Sequence, residues 1–95
     1  MRVTYGGAKP ASTLAERGLD FEDAHHVFAG LHWTVEDRRF AYGETRFQTV
    51  GFLVGRMVMI VWTPRGDACH IISMRKYNER EQKAYRERFE KGRFP

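Results

Sequence analysis

The sequence contains a single cysteine and no long apolar run. Because Cys69 is the only cysteine, no intramolecular disulfide can form, which favours a reducing compartment. The longest apolar run, residues 57–62, is far shorter than the roughly 20 residues needed to cross a bilayer. The segment MRVTYGGAKP at the start lacks the apolar stretch of a signal peptide. We therefore expect a cytoplasmic protein without a membrane segment.

Motifs of metal-dependent and nucleotide-dependent enzymes are also missing. The sequence has no glycine-rich dinucleotide motif, no P-loop and no nucleophile elbow. His25 and His26 are adjacent, so on a helix their side chains would point about 100° apart and could not share an ion. His32, Cys69 and His70 lack the spacing typical of zinc ligands. We expect neither a metal site nor a cofactor.

The composition indicates one small folded domain with a basic surface. The chain has 95 residues, 42% of them hydrophobic and 14% aromatic, which excludes a disordered chain. We interpret residues 1–95 as a single domain. The 16 Lys and Arg residues exceed the 12 Asp and Glu residues, for a net charge of +4. This excess suits a polyanion or an acidic partner, although an ordinary soluble surface explains it equally well.

Two short helices are predicted after a first short strand at residues 3–5. Pro10 suits the first turn of a helix, and Gly18 suits the left-handed position just after its end. Asp20 is a typical N-cap for the next helix, which has one apolar face and ends at Gly30. Both helices therefore have one face to bury.

The pattern then changes to that of strands. Residues 31–36 alternate between apolar and polar, residues 46–53 are rich in strand formers, and Val54-Gly55 suits a hairpin turn. Residues 56–63 are apolar at nearly every position, which favours a strand buried on both faces. After a turn, residues 68–76 form the last strand. Asn78 and Glu81 then form a capping-box-like pair at the start of a final helix.

These elements predict an α+β domain. We expect an antiparallel β-sheet of about four to five strands, with two N-terminal helices packed on one face and a C-terminal helix.

Basic and aromatic side chains surround the junction between the last strand and the last helix. If the last strand ends beside the hairpin, five side chains could converge on RNA phosphates: Arg46, Arg65, His70, Arg75 and Lys76. Metal-free RNA cleavage needs a base for the 2′-hydroxyl proton, an acid for the 5′ oxygen and cations for the phosphorane. His70 titrates near neutrality, and Glu44 is the carboxylate alternative. On the residues alone, a solvated strand edge and a helix docked through Tyr85 explain the same pattern.

Four segments, in this order, resemble the BrnT family of toxins. They are GLDFEDAHHVF (18–28), GETRFQTVG (43–51), VWTPRGD (61–67) and HIISMRKYNEREQKAY (70–85). The resemblance implies a RelE-like fold and a toxin of a type II toxin–antitoxin pair that inhibits translation as a ribonuclease. It also implies a BrnA-like antitoxin, a ribbon-helix-helix protein that neutralises the toxin, so operator DNA is bound only through the antitoxin.

The resemblance also suggests site residues. Positions that match the family are Lys9, Glu44, Arg46, Arg65, Ser73, Arg75, Lys76, Glu81 and Tyr85. We predict catalytic roles for Glu44, His70, Arg75 and Tyr85, and RNA-binding roles for Lys9, Arg46, Arg65 and Lys76.

Several positions depart from the family pattern. Gly6-Gly7 replaces Asp-Pro, Arg17 replaces a histidine, and His70 and Gln82 each stand where arginine is usual. Arginine offers a planar fork for phosphate that histidine and glutamine lack. Two alternatives to an active ribonuclease therefore stay open. One is an attenuated toxin that binds its antitoxin and tunes operator binding, and the other is an RNA-binding domain without an antitoxin.

Overall fold

The computed structural model describes residues 2–7 and 9–90, except for the side chains of Lys9, Phe89 and Glu90. Its helices are α1 (Lys9–Arg17), α2 (Ala24–Ala29) and α3 (Glu79–Glu90), with a 3-10 turn at Phe21–Asp23 before α2. Its strands are β1 (Arg2–Thr4), β2 (His32–Glu36), β3 (Phe47–Leu53), β4 (Arg56–Arg65) and β5 (Ala68–Lys76). The described chain is therefore α+β, as predicted.

The sheet is mixed, in the order β1-β5-β4-β3-β2. Strands β2 to β5 form the expected antiparallel meander. The prediction of a wholly antiparallel sheet is wrong at one edge, because β1 runs parallel to β5, with Val3 opposite Cys69. A three-residue strand pattern shows which side chains share a face, but it contains no signal for the direction of a partner more than 60 positions away.

The helical segments between β1 and β2 also differ from the prediction. Gly18 ends α1 with φ 66°, and its N–H donates to the Leu14 carbonyl (3.0 Å), as the C′ pattern predicts. Asp20 accepts the Glu22 N–H (3.0 Å), but the segment that it caps is the 3-10 turn and not α2. Three helical segments therefore lie here instead of two. The extra turn buries Phe21 under the sheet.

The core lies on both faces of the sheet. On one face, residues from the 3-10 turn and α2 pack on β4 and β5; this core includes Phe21, Val27, Val58, Ile60, Cys69, Ile71 and Met74. On the other face, a second core joins Val50, Met57, Met59, Val61 and Tyr77, with Tyr85 of α3 packed against it. Strand β4 contributes alternate residues to both cores, which confirms that it is buried on both sides. We call the second side of the sheet the α3 face.

In the β3–β4 hairpin, Val54 adopts a backbone conformation that is unfavourable for valine. Val54 has φ 49° and Gly55 has φ 77°, so both central positions need the left-handed backbone of a type I′ turn. A β-branched side chain is strained there, and Val54 is also fully exposed. We expect Val54→Asn to raise the free energy of unfolding by about 1 kcal/mol. Chemical denaturation of both proteins measures this difference, and an equal or lower stability of the variant would contradict the assigned turn.

Candidate functional site

Four of the predicted site residues meet at one end of the α3 face. Glu44 accepts a hydrogen bond from Arg46 Nε (3.0 Å) and lies 4.0 Å from the Arg65 guanidinium. The charges of Arg65 and Glu44 both reach His70, where they act on the pKa of the imidazole in opposite directions. Glu44, Arg46, Arg65 and His70 are called the His70 cluster below. Of the five side chains predicted to converge, Arg46, Arg65 and His70 lie in this cluster, and Arg75 does not.

Two long-range contacts hold the His70 cluster together. On β4, the buried Thr63 hydroxyl donates to the Thr45 carbonyl (2.7 Å), which fixes the loop carrying Glu44 beside the strand. Thr63 is also the register partner of His70 on β5. On the other side of β5, the Thr4 hydroxyl of β1 contacts His70 Nδ1 at 2.9 Å. β1 thus orients the imidazole through Thr4, and β4 keeps the loop with Glu44 beside it.

The environment of His70 favours the neutral imidazole. Partial burial lowers the pKa of His70 below its ordinary value, and the Arg65 charge lowers it further, while Glu44 opposes the shift. His70 is therefore mainly unprotonated at neutral pH and suits a proton acceptor. Because Nδ1 contacts Thr4, Nε2 is the nitrogen left for a substrate.

A second group lies further along β5, where the strand leads into α3. The Arg75 guanidinium donates to both carboxylate oxygens of Glu81, at 2.8 and 2.6 Å, and lies 4.9 Å from the ring centre of Tyr77. Glu81 and Asn78 also exchange the two hydrogen bonds of the predicted capping box. Arg75, Tyr77, Glu81 and Tyr85 are called the Arg75 cluster below. Its guanidinium is already paired with a carboxylate.

The Arg75–Glu81 pair makes stability depend on pH. Arg75 lowers the pKa of Glu81 from 4.5 to about 2, so the pair contributes stability above pH 4.5 that is lost as the pH falls towards 2. We expect Glu81→Gln to reduce the free energy of unfolding by about 1 kcal/mol at pH 7, a value discounted for solvent exposure. It should also flatten the acid limb of the stability profile. Glu87→Gln, a change at an exposed position of the same helix, is the matched control. Equal profiles for the two variants would contradict a stabilising pair.

Tyr85 lies in an aromatic group of the Arg75 cluster. Its ring centre is 5.8 Å from that of Trp33 and 6.0 Å from that of Tyr77. Burial raises the pKa of Tyr85, so the phenol stays protonated at neutral pH. His70 and Tyr77 are seven positions apart on the same chain segment, or roughly 20 Å of extended strand. Tyr85 and His70 therefore lie at opposite ends of the α3 face.

Of the two predicted lysines, Lys76 is not part of either cluster. Met74 belongs to the core under the helices, so alternation puts Arg75 on the α3 face and Lys76 on the opposite face. Lys76 Nζ accordingly lies 3.7 Å from the point that a Cβ would occupy at Gly18. The expectation that Lys76 converges with Arg75 is therefore wrong, for the simple reason that neighbouring strand residues point apart. Lys9 is the first residue of α1, and its side chain lies outside the described residues.

Sequence reasoning missed a third group, in the loop between β2 and β3. The Asp37 side chain is fully buried and accepts hydrogen bonds from Arg39 Nε and Nη2, both 2.8 Å, and from the Tyr42 hydroxyl, 3.1 Å. Arg46 of the His70 cluster lies over the Tyr42 ring, 4.1 Å from its centre. The available signal was an aspartate directly after a predicted strand with an arginine two positions later.

The described residues contain neither a membrane-spanning helix nor a cluster of potential metal ligands. None of the described helices is long and apolar enough to cross a membrane. Within residues 2–7 and 9–90, no group of three or more His, Cys, Asp or Glu side chains is arranged to hold a metal ion.

The fold and these clusters define a class of protein, a small α+β domain with arginines and a histidine gathered on one face of its sheet. A family model described as "Ribonuclease toxin, BrnT, of type II toxin-antitoxin system" matches residues 5–81. The chain therefore belongs to the BrnT family of ribonuclease toxins. Membership implies an RNA substrate and an antitoxin partner. A comparison with curated proteins found no match.

Proposed function

We propose that this chain is an endoribonuclease toxin that cleaves RNA without a metal ion and thereby inhibits translation in the cytoplasm. The observation that carries the proposal is the His70 cluster, in which Arg46 and Arg65 lie around one carboxylate beside a neutral histidine. Cations and a proton acceptor within one small cluster are what metal-free phosphodiester cleavage requires.

In the proposed reaction, His70 accepts the proton of the 2′-hydroxyl. The 2′ oxygen then attacks phosphorus, and the bond from phosphorus to the 5′ oxygen breaks. The imidazolium returns its proton to that 5′ oxygen, which leaves a 2′,3′-cyclic phosphate and a free 5′-hydroxyl. Arg46 and Arg65 stabilise the negative charge of the phosphorane, since both guanidinium groups are partly exposed beside His70.

The other predicted residues have supporting or alternative roles in the proposal. Glu44 holds Arg46 in place and is the second candidate for the base. Arg75 binds a neighbouring phosphate further along the strand. Tyr85, which burial keeps protonated, is a proton donor only for a phosphate at its own end of the α3 face. Lys9 and Lys76 stay predicted RNA contacts, and Lys76 lies outside the two clusters.

The proposed partner is a BrnA-like ribbon-helix-helix antitoxin, through which alone the complex would bind operator DNA. Support comes from the family match and from the basic excess of the chain, which suits an acidic inhibitor. We also propose that the fold is RelE-like, for which a five-stranded sheet with helices on both sides is suitable.

Incubation of the purified, antitoxin-free protein with total RNA in EDTA tests this function. We expect cleavage to products with cyclic phosphate ends, and addition of the antitoxin should stop it. A His70→Arg variant, which restores the residue usual in the family, is run beside the parent. Absence of cleavage by both proteins, with and without ribosomes, would contradict the proposal.

A second candidate is an attenuated toxin that acts as an antitoxin-binding, operon-regulating module. The specific observation in its favour is that Arg46 and Arg75 are each paired with a carboxylate of the same chain. Cleavage by the His70→Arg variant alone would support this function. Expression of the parent chain by itself in a bacterial host separates the two, because strong growth arrest is expected only of an active toxin.

A further inference from the structure

Arg39, which the sequence pattern did not single out, is held in place on one side and exposed to solvent on the other. Its guanidinium donates two hydrogen bonds to the buried carboxylate of Asp37, yet its side chain is 56% exposed. Those bonds use Nε and one hydrogen of Nη2, and Tyr42 is a further partner of the guanidinium. A guanidinium has five N–H donors, more than these two side chains use, so part of it is left for another acceptor. A guanidinium that is held on one side and open on the other is pre-organised for an anion.

The position of Arg39 connects it to the proposed RNA face. The hydrogen bonds to Glu81 raise the pKa of Arg75, and burial raises the pKa of Tyr77; the Arg39 charge opposes both shifts as the smallest contribution, so Arg39 lies within electrostatic reach of the Arg75 cluster. Through Asp37 it is also joined to Tyr42, whose ring carries Arg46 of the His70 cluster. Arg39 is thus coupled to both ends of the α3 face.

The positive charges of Arg39 and Arg75 repel each other, so a nearby negative charge is needed to hold both side chains in place. Arg75 is neutralised by Glu81 and Arg39 by Asp37, which offsets their repulsion in the free protein. The backbone also keeps the loop in place, because the Asp37 N–H donates to the Arg46 carbonyl at 2.7 Å. Both arginines are thus paired within the chain itself, and their side chains stay 56% (Arg39) and 40% (Arg75) exposed.

We propose that Arg39 is a further RNA-binding residue of the toxin, which contacts a backbone phosphate between the two clusters, and that Asp37 is the positioning residue that orients it. The inference rests on the proposed ribonuclease function and adds a contact to its substrate site. A single-stranded RNA lying along the α3 face would then meet Arg46 and Arg65, Arg39, and Arg75 in succession.

Arg38 provides a matched control for this inference. It is adjacent in sequence, has the same charge and is 81% exposed. Arg38 pairs with Glu36 and lines a surface depression of about 430 Å³ that Glu44 and Arg46 also line, whereas Arg39 does not line it. A larger effect of Arg38→Gln than of Arg39→Gln would therefore place the RNA in this depression and overturn the inference. Replacement of either arginine with glutamine changes the net charge equally, so any difference between the variants reports position.

The experiment measures binding of a fluorescent, single-stranded RNA with 2′-O-methyl groups, which the enzyme cannot cleave, over a series of salt concentrations. Arg39→Gln should weaken binding about tenfold, as expected for one lost charge-assisted contact. It should also reduce the slope of log affinity against log salt by about 0.7, the loss expected for one phosphate contact. Arg38→Gln should stay within about twofold of the parent, and Arg39→Lys should keep the slope while losing part of the affinity.

Equal effects of Arg39→Gln and Arg38→Gln would overturn the inference while leaving the proposed function intact, provided that the parent binds and cleaves RNA. If the parent does not bind the RNA at all, the proposed function and the inference both fail. Thermal denaturation checks that each variant folds. Should Arg39→Gln fail to fold because Asp37 loses its partner, the double variant Asp37→Asn/Arg39→Gln removes both charges, and its binding is compared with that of Glu36→Gln/Arg38→Gln, which also leaves the net charge unchanged.

Discussion

Replacement of His70 with alanine is expected to lower the rate of RNA cleavage by about 10²–10⁴-fold, the range for the loss of one proton-transfer group. The reason is that His70 is the neutral side chain of its cluster, with Nδ1 held by Thr4 and Nε2 left for the 2′-hydroxyl. RNA affinity should change little, because the arginines of the cluster stay in place. Single-turnover cleavage and binding of an uncleavable RNA, measured side by side, separate these two effects.

The pH profile gives an independent check on His70. Since the pKa of the imidazole is lowered in the folded chain, the cleavage rate of the parent should rise with pH below 6.5 and level off above it. His70→Ala should lose that limb of the profile. His26→Ala, at an exposed position on α2, is the control and should keep both the rate and the profile. A His70→Ala enzyme with parental rate and profile would assign the proton transfer to Glu44 instead.

Replacement of Gly51 with alanine is expected to lower the free energy of unfolding by about 2–3 kcal/mol, the upper part of the range for overpacked sites. A Cβ at this position would lie 2.7 Å from Val27 Cγ1 and 3.3 Å from the Leu31 carbonyl oxygen. The β-branched Val27 is fully buried in the core between α2 and the sheet, so it has little room to move. Gly51 is therefore the position at which α2 approaches β3 closely.

Gly30 offers the matched control for Gly51. It lies at the end of α2 with φ −99°, and a Cβ there would meet only two carbonyl oxygens, at 3.8 and 4.0 Å. Gly30→Ala should leave the free energy of unfolding unchanged or raise it by up to about 1 kcal/mol, because alanine lowers the conformational entropy of the unfolded chain. Denaturant titration of the two variants measures the difference. A Gly51→Ala protein as stable as Gly30→Ala would mean that α2 does not pack so closely on β3.

Local signals in the sequence were sufficient for most elements. Alternation of polar and apolar residues predicted β2, and the continuous apolar run predicted that β4 is buried on both faces. Turn chemistry predicted the hairpin at Val54-Gly55, and the capping pair of Asn78 and Glu81 predicted the start of α3. Each of these features depends on residues within a few positions of one another, so each leaves a pattern that can be read along the chain.

The candidate site was only partly predictable for the same reason. Glu44 and Arg46 are two positions apart in sequence, so their pairing could have been predicted from the sequence alone. That Lys76 points away from Arg75 also follows from strand alternation, which the prediction of a shared phosphate site overlooked. The roles assigned to these residues in catalysis and RNA binding stay predictions.

Contacts between residues that are distant in sequence were determined only by the tertiary structure. The Thr63–Thr45 hydrogen bond brings the loop with Glu44 to His70, and β1 reaches the same histidine from the other end of the chain through Thr4. The parallel direction of β1 and the burial of the Asp37 carboxylate beside Arg39 belong to the same category. The sequence by itself determined the elements and their apolar faces, because these follow from local backbone and side-chain preferences. The register between distant strands decided which polar side chains meet, since it depends on how all the apolar faces pack together at once.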